Sequence, residues 1–171
     1  MIPLQDYLIH YILRFADESK IPIQVHTGLQ EGYGNYITNA DPTLLLGLFN
    51  EYKRVRFDIF HGGYPYCNEL VAIVKNFQNV YANLAWLHII SLTAARLYLH
   101  QLIEAVPSNK VFGFGGDYIF IGGMYGHLQI AKENIARVLF EKVQEEYFSE
   151  KEEIDYARKM LYDNAKDFYN L

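Results

Sequence analysis

Four short stretches rich in β-branched and aromatic residues alternate with segments of helical periodicity, and this alternation limits the possible folds more than any other feature. The predicted strands cover residues 21–26, 55–61, 80–84 and 110–114. Their ends recur at about the 30-residue spacing of one strand–helix unit. Strands that alternate with helices in this way form parallel sheets, so the sequence predicts an α/β fold with four βα units.

Helical segments precede, separate and follow these strands. The predicted helices cover residues 4–16, 43–49, 65–77, 93–106, 131–147 and 151–169. Asp41 and Pro42 are typical of an N-cap and a first helical position. Ser149 and Glu152 have the spacing of a capping box.

The length of 171 residues is short for a closed barrel of eight such units, which usually needs about 250 residues. Hydrophobic residues make up 51% of the chain and charged residues 20%, as in an ordinary globular protein. Because no linker or low-complexity stretch interrupts it, we expect residues 1–171 to form a single unit.

Charge and cysteine content narrow the classes of partner. The net charge is −5 and no Lys/Arg cluster occurs, which argues against nucleic-acid binding and favours a small-molecule substrate. Cys67 is the only cysteine, so neither a disulfide framework nor a cysteine-based zinc site is expected, and we predict a cytoplasmic protein. No apolar run approaches the roughly 18 residues that span a bilayer, so no membrane association is expected.

Three side chains that commonly bind metals follow the predicted strands. His26, His61 and Asp117 each lie at the carboxyl end of a strand and within two residues of a glycine. Parallel strands bring their carboxyl ends to one face, so the three side chains are expected to meet there. Imidazole and carboxylate together suit zinc and similar divalent metals. For any one of these residues alone, a hydrogen-bonded structural role is the competing interpretation.

Aromatic residues and further histidines surround this predicted site. The expected substrate contacts are Tyr64, Tyr66, Trp86 and His88. His127 is predicted on the same face, and for His88 and His127 a solvated loop position is the alternative. The tyrosine pairs Tyr64/Tyr66 and Tyr118/Tyr125 flank the site, where phenols can bind a carboxylate or carbonyl group, although surface packing is an equal alternative.

Four motifs, in order, resemble the amidohydrolase-2 family. They are IPIQVHTG at residues 21–28, HGGYPY at 61–66, GFGGDY at 113–118 and LYDNA at 161–165. Within the family, the HGGYPY motif is most similar to amidohydrolase-like proteins related to the domain fused to glutamine synthetase. The similarity covers essentially the whole chain.

The resemblance implies a metal-dependent hydrolase of the (β/α)8 TIM-barrel type that acts on C–N or related bonds of a small molecule. It implies that the chain is the C-terminal half, a fragment with strands five to eight. It further implies that His26 and Asp117 bind a divalent metal, with zinc expected, that Asp117 is the general base, and that His61 orients water or polarises the substrate. Two departures are visible: Gly116 precedes Asp117 where the family usually has Ser or Thr, and the chain contains no His-x-His motif.

Alternative interpretations remain open at this stage. The same family motifs occur in metal-dependent decarboxylases. A half-barrel can also be a non-catalytic interaction module, a homo-oligomer that pairs its strand edges, or a chain that needs its N-terminal half. An unrelated open α/β sheet would keep the fold class and discard the metal chemistry.

Overall fold

The computed structural model describes residues 2–171, and four parallel strands form the sheet at its centre. The strands are β1 (Ile23–Val25), β2 (Phe57–Ile59), β3 (Val80–Asn83) and β4 (Val111–Phe112), and each pairs with the next along the chain. All four lie within the predicted stretches, and the α/β prediction is confirmed. They are shorter than predicted because the backbone leaves the extended conformation soon after the central residues, as at His61, where φ is 60°.

Helices connect successive strands and follow the last one. They are α1 (Ile2–Ser19), α2 (Leu46–Glu51), α3 (Cys67–Asn76), α4 (Leu87–Ile90), α5 (Leu92–Ala105), α6 (Ile121–Gln144), α7 (Glu150–Arg158) and α8 (Asn164–Tyr169). Short 3₁₀ turns cover Ile37–Ala40, Pro42–Leu45, Phe60–Gly63 and Ser108–Lys110, and a π turn, Lys159–Asp163, joins α7 to α8. None of the helices within residues 2–171 is both long and apolar enough to cross a bilayer.

The predicted helix starts were right where a cap defines them. The Asp41 carboxylate accepts a hydrogen bond from the Thr43 amide at 2.8 Å, although the first turn is 3₁₀ and α2 begins only at Leu46. The capping box is confirmed: Ser149 N donates to Glu152 Oε2 at 2.8 Å, and Glu152 N donates to Ser149 Oγ at 3.3 Å.

Two helix predictions were wrong in extent. Helix α6 begins at Ile121 rather than near residue 131; three glycines in its first two turns weaken helical preference and hid this start in the sequence. The predicted helix over 151–169 is interrupted by a π turn at Lys159–Asp163. This turn is wider than an α-helical turn, and it contains no proline or glycine that would mark the interruption in the sequence.

The outer face of the sheet forms the hydrophobic core against the helices. Ile59, Val80, Ala82 and Val111 are fully buried there. Burial of a branched side chain of this kind contributes about 1.5–3 kcal/mol relative to exposure, so this face holds the helices on the sheet.

The inner face of the sheet is polar at its centre, because alternate strand residues point away from the helices. It carries Gln24, Asp58 and Asn83 from three successive strands. Helix α8 covers part of this face: the Phe168 ring lies 4.6 Å from that of Tyr81, and Tyr169 reaches Asp58. In a closed barrel the inner face is the barrel interior.

Candidate active site

His61 is placed by an unusual turn that directly follows β2. Its φ is 60°, in the left-handed region that is unfavourable for residues other than glycine, and Gly62 and Gly63 continue the turn at φ 58° and 65°. A Cβ atom at Gly62 would lie 2.7 Å from Leu87 Cδ2 and 2.9 Å from Tyr98 Cε1, so only glycine fits. The turn directs His61 inward, where its side chain is 2% exposed.

The tautomer of His61 follows from its hydrogen bond. Nδ1 lies 2.9 Å from the carbonyl oxygen of Ala85. Because a carbonyl can only accept, Nδ1 carries the proton and Nε2 keeps a free lone pair. Nε2 is buried and makes no hydrogen bond within the described residues. Burial is the main cause that lowers the pKa of His61, against the Ala85 carbonyl, which raises it. The ring is therefore a neutral hydrogen-bond acceptor.

His26 and Asp117 both lie close to the His61 side chain. The His26 ring centroid is 4.3 Å from that of His61, with the planes tilted by 60°. Asp117 Oδ2 is 3.9 Å from His61 Nε2. His61 is buried, His26 is exposed, and the Asp117 side chain is 52% exposed. The structure thus brings the three predicted residues together at the carboxyl ends of the strands, with a buried floor and an open side.

Loops after β1 and β2 support this arrangement. The Gly28 amide donates to the Ala40 carbonyl at 2.7 Å, and the Leu29 amide donates to the Tyr64 carbonyl at 2.7 Å. Gly28 has φ 72°, and a Cβ atom there would collide with the Tyr64 carbonyl oxygen. His26 and His61 are therefore held by two loops that are bonded to each other.

These residues do not by themselves form a complete metal site. Residues 2–171 contain no group of three or more His, Cys, Asp or Glu side chains arranged to hold a metal ion. His26 and Asp117 have the donor types that zinc prefers, and His61 adds a free imidazole nitrogen beside them. The donor set fits part of a divalent-metal site.

The predicted substrate contacts fall into two groups. Tyr64, Tyr66 and Trp86 are half-buried in the loops after β2 and β3, near the site. Trp86 has φ 62°, its ring lies 5.9 Å from that of Tyr118, and its indole N–H is buried with no partner in the described chain. The indole N–H is therefore a buried donor whose hydrogen bond is not made within the described residues.

His88 does not fit the predicted role. It is fully buried in α4, with Nε2 2.9 Å from the Gly113 carbonyl oxygen and Nδ1 3.1 Å from Asn134 Nδ2. Burial lowers its pKa to about 4, so the ring is neutral. Since both nitrogens are occupied, His88 is a structural residue that joins α4, the segment after β4 and α6, and neither a substrate contact nor a loop position is found.

The loop prediction for His127 was also wrong. His127 lies in α6, 2% exposed, with its ring 4.9 Å from that of Phe114 and 5.9 Å from that of Tyr118. It packs behind the Gly115–Asp117 turn rather than facing the site. Early glycines in α6 made this segment look like a loop.

Sequence reasoning missed a polar cluster below the three residues, on the inner face of the sheet. Asp58 Oδ2 accepts from Asn83 Nδ2 at 3.0 Å, from Gln24 Nε2 at 3.4 Å and from the Tyr169 hydroxyl. Asp58 is fully buried, and burial raises its pKa to about 6 against these hydrogen bonds. The signal was present, because Asp58 interrupts an otherwise apolar strand. We call Gln24, Asp58, Asn83 and Tyr169 the inner polar cluster.

An open groove of about 320 Å³ runs along the inner face. Its lining includes Gln24, Asn83 and Tyr169 of the inner polar cluster, and Asp117 at one end. A groove of this size, with a carboxylate at its mouth, has room for a small polar molecule.

This architecture is similar to that of known proteins. The amidohydrolase-2 family model, described as Amidohydrolase, matches residues 3–171. A solved structure from Lactobacillus casei ATCC 334, provisionally assigned as a metal-dependent hydrolase, superposes with a TM-score of 0.82 at 19% sequence identity and covers 98% of this chain.

The extent of that match bears on the fold. The chain spans 44% of the length of the Lactobacillus protein, and the four parallel βα units correspond to part of a TIM barrel, as predicted. No curated protein sequence matches the chain significantly. The family match over nearly the whole length shows that this chain belongs to the amidohydrolase-2 family.

Proposed function

We propose that the chain supplies part of the active site of a metal-dependent hydrolase that acts on C–N or related bonds of a small molecule. The observation that carries this proposal is the free Nε2 of buried His61, which lies 3.9 Å from Asp117 and beside His26 at the carboxyl ends of the strands. Catalytic residues of TIM-barrel enzymes occupy this face. Family membership and the assignment of the Lactobacillus protein agree with it.

His26 and Asp117 are the proposed ligands of a divalent metal, with zinc as the first candidate because imidazole and carboxylate suit it. A bound metal of this kind supplies Lewis-acid polarisation and lowers the pKa of a bound water to about 7. The remaining ligands are proposed to come from an N-terminal half of the barrel or from a second copy of this chain, since the described residues provide no third ligand of the group.

His61 and Asp117 have distinct proposed roles in moving a proton. His61 is neutral with its proton on Nδ1, so Nε2 accepts a hydrogen bond and orients a water molecule. This geometry favours orientation over polarisation of a substrate carbonyl, which would need a donor at Nε2. Asp117, half exposed and 3.9 Å from His61 Nε2, is placed to take the proton of that water on its carboxylate.

The substrate is proposed to be a small molecule with a hydrogen-bond acceptor and an apolar part. The buried Trp86 indole N–H, which has no partner among the described residues, is the proposed donor, and the Trp86 ring lies 5.9 Å from that of Tyr118, the residue after Asp117. Tyr64 and Tyr66 remain proposed contacts from the loop after β2. His88 is excluded from this set because it is fully buried. We also propose that, within the family, this chain is related to the proteins that resemble the domain fused to glutamine synthetase. The HGGYPY motif at residues 61–66 supports this relationship.

Metal content is the direct test. The chain is purified without chelator, and bound metal is measured by plasma mass spectrometry in wild type, in His26→Ala/Asp117→Ala and in a control, His100→Ala/Asp155→Ala. The control removes the same residue types from α5 and α7. We expect metal in wild type and control and its loss in the site variant, with metal-dependent cleavage of simple amides.

Other outcomes separate the alternatives. Equal metal in all three proteins would overturn the ligand assignment. Release of CO₂ rather than an amine from test substrates would favour decarboxylation by the same residues. No metal in the wild type, and none after addition of zinc, would exclude a metal site formed by this chain or its copies and would leave a site completed by an N-terminal half or a non-catalytic half-barrel.

A further inference from the structure

The backbone of Ala85 connects the active site to the inner polar cluster. Its carbonyl oxygen accepts the Nδ1 proton of His61 at 2.9 Å, and its amide donates to Asn83 Oδ1 at 2.9 Å. Ala85 is 1% exposed, and the next residue, Trp86, has φ 62°. The Ala85 carbonyl therefore lies in a tight turn that two hydrogen bonds hold: the Leu87 amide donates to the carbonyl at 2.8 Å, and the Asn83 side chain accepts from the Ala85 amide.

Asn83 is fixed in one orientation by its two partners. Asp58 Oδ2, at 3.0 Å, can only accept when ionised, so Asn83 must present Nδ2 to it and Oδ1 to the Ala85 amide. A reversed amide would place oxygen against a carboxylate and nitrogen against an N–H group. The carboxylate of Asp58 thus selects the face of Asn83 that the Ala85 turn needs.

Asp58 is itself held from two directions. Tyr169 of α8 donates its hydroxyl proton to Asp58, and Gln24 of β1 donates both to Asp58 and, at 2.6 Å, to the Tyr169 oxygen. On the other side, Gly115 packs so closely that a Cβ atom there would lie 2.7 Å from Ala85 Cβ. The Ala85 turn therefore has little freedom to move.

We propose that Asn83, oriented by Asp58, is a positioning residue that fixes the tautomer of His61 through the backbone of Ala85. This inference rests on the proposed function, because it explains how Nε2 of His61 is kept as an acceptor facing Asp117. A histidine's tautomer is set by the hydrogen bond that its other nitrogen makes, and a free side chain in water favours a proton on Nε2. The Ala85 carbonyl also accepts from the Leu87 amide at 2.8 Å, so Asn83 acts on the preceding peptide, and without it the start of the turn loses its side-chain support.

The tautomer can be measured without any catalytic assay. Two-bond ¹H–¹⁵N spectra of the full chain labelled at histidine nitrogens, recorded at neutral pH with chelator, distinguish protonated from unprotonated ring nitrogens. His61 is assigned by its absence in His61→Gln. We expect wild type to show Nδ1 protonated, and Asn83→Ala to shift His61 towards Nε2 protonation. A purely structural role would leave the tautomer unchanged in the folded variant.

A swap of the two partners provides a matched rescue. Asn83→Asp alone places two carboxylates within hydrogen-bond distance and is expected to lose the Nδ1 tautomer or the fold. In Asp58→Asn/Asn83→Asp, the new asparagine donates one Nδ2 proton to the new aspartate, which still accepts from the Ala85 amide, and the other to the Tyr169 oxygen; Tyr169 then donates to Gln24 once that exposed amide has reversed. We expect this double variant to regain the fold and the Nδ1 tautomer.

The outcomes separate this inference from the proposed function. Two results overturn the positioning role, whatever the activity. One is a folded Asn83→Ala protein that keeps the His61 proton on Nδ1, and the other is a folded double variant that carries it on Nε2. The expected tautomers in a protein that binds no metal and cleaves no amide would overturn hydrolase activity of this chain and its copies and leave the positioning role standing.

Discussion

His61 Nε2 and Asp117 Oδ2 lie 3.9 Å apart, the first on a buried ring and the second on a half-exposed carboxylate. This separation is too long for a direct hydrogen bond. It suits two acceptors that share one water molecule, since neither atom has a proton to give the other. The pair therefore spans the boundary between the buried floor of the site and its open side.

Replacement of His61 by Gln is expected to reduce kcat for the proposed hydrolysis by about 10²-fold, with a smaller change in KM, because misplacement of a reacting group by about 1 Å costs rate on that scale. Steady-state kinetics with zinc-loaded protein measure it. His100→Gln is the control, because His100 bonds Glu141 on the helical surface at 3.0 Å. Equal activity in His61→Gln and wild type would remove His61 from the mechanism.

Asp58 is expected to make stability depend on pH. Its pKa is raised from 3.8 to about 6, so between these values the folded state keeps a proton that the unfolded state has released. The free energy of unfolding therefore falls as pH rises through this window, by up to about 3 kcal/mol. Asp58→Asn carries no titrating group and lacks this loss.

Urea unfolding of wild type and Asp58→Asn at pH 4, 5, 6 and 7 isolates that contribution, because other carboxylates titrate in both proteins. We expect wild-type stability, relative to the variant, to decrease from pH 4 to 7. A relative stability that stays level or increases would show that the Asp58 carboxyl is not destabilised by burial.

Gly115→Ala is expected to destabilise the chain by about 1–3 kcal/mol, the usual cost of overpacking. The new Cβ atom would lie 2.7 Å from Ala85 Cβ and 3.2 Å from Asn83 Oδ1. Gly126→Ala is the matched control: nothing lies within 4 Å of its Cβ position in α6, so it should stabilise by about 0.5–1 kcal/mol. Denaturant unfolding measures both, and equal effects would contradict the close packing.

Self-association is expected because α1 exposes apolar side chains beside β1, which has a partner strand on one side only among the described strands. Leu8 and Tyr11 of α1 are 46% and 58% exposed. Gel filtration with light scattering should give more than the 19.9 kDa of one chain, and Leu8→Glu/Tyr11→Glu should reduce that mass. A wild-type monomer would contradict self-association and favour an N-terminal half as the partner.

Sequence reasoning located the strands and the convergence of His26, His61 and Asp117, because strand periodicity and flanking glycines are local signals. It misplaced His88, whose partners Gly113 and Asn134 are 25 and 46 residues away along the chain. It misplaced His127 because glycines hid the start of α6. Burial of a polar residue depends on distant partners, and local pattern carries little information about them.

Asp58 is a second example of a residue whose partners a local sequence pattern does not reveal. A charged residue inside β2 is visibly exceptional in the sequence, yet its role depends on Asn83 and Tyr169. Neither partner is marked by a motif, since an amide and a phenol are common on surfaces. Only the three-dimensional structure shows that Asn83 and Tyr169 both bind Asp58.

The hydrogen bond between Tyr169 and Asp58 limits when the inner polar cluster can form during synthesis. Tyr169 bonds to Asp58, a residue 111 positions earlier in the chain. Synthesis on the ribosome proceeds from the amino end, so the sheet emerges well before α8, with the Asp58 carboxylate still lacking one of its donors. The inner polar cluster is therefore completed only after α8 has left the exit tunnel. Before that point, the four strands of a nascent chain lack the hydrogen bond from Tyr169 to Asp58.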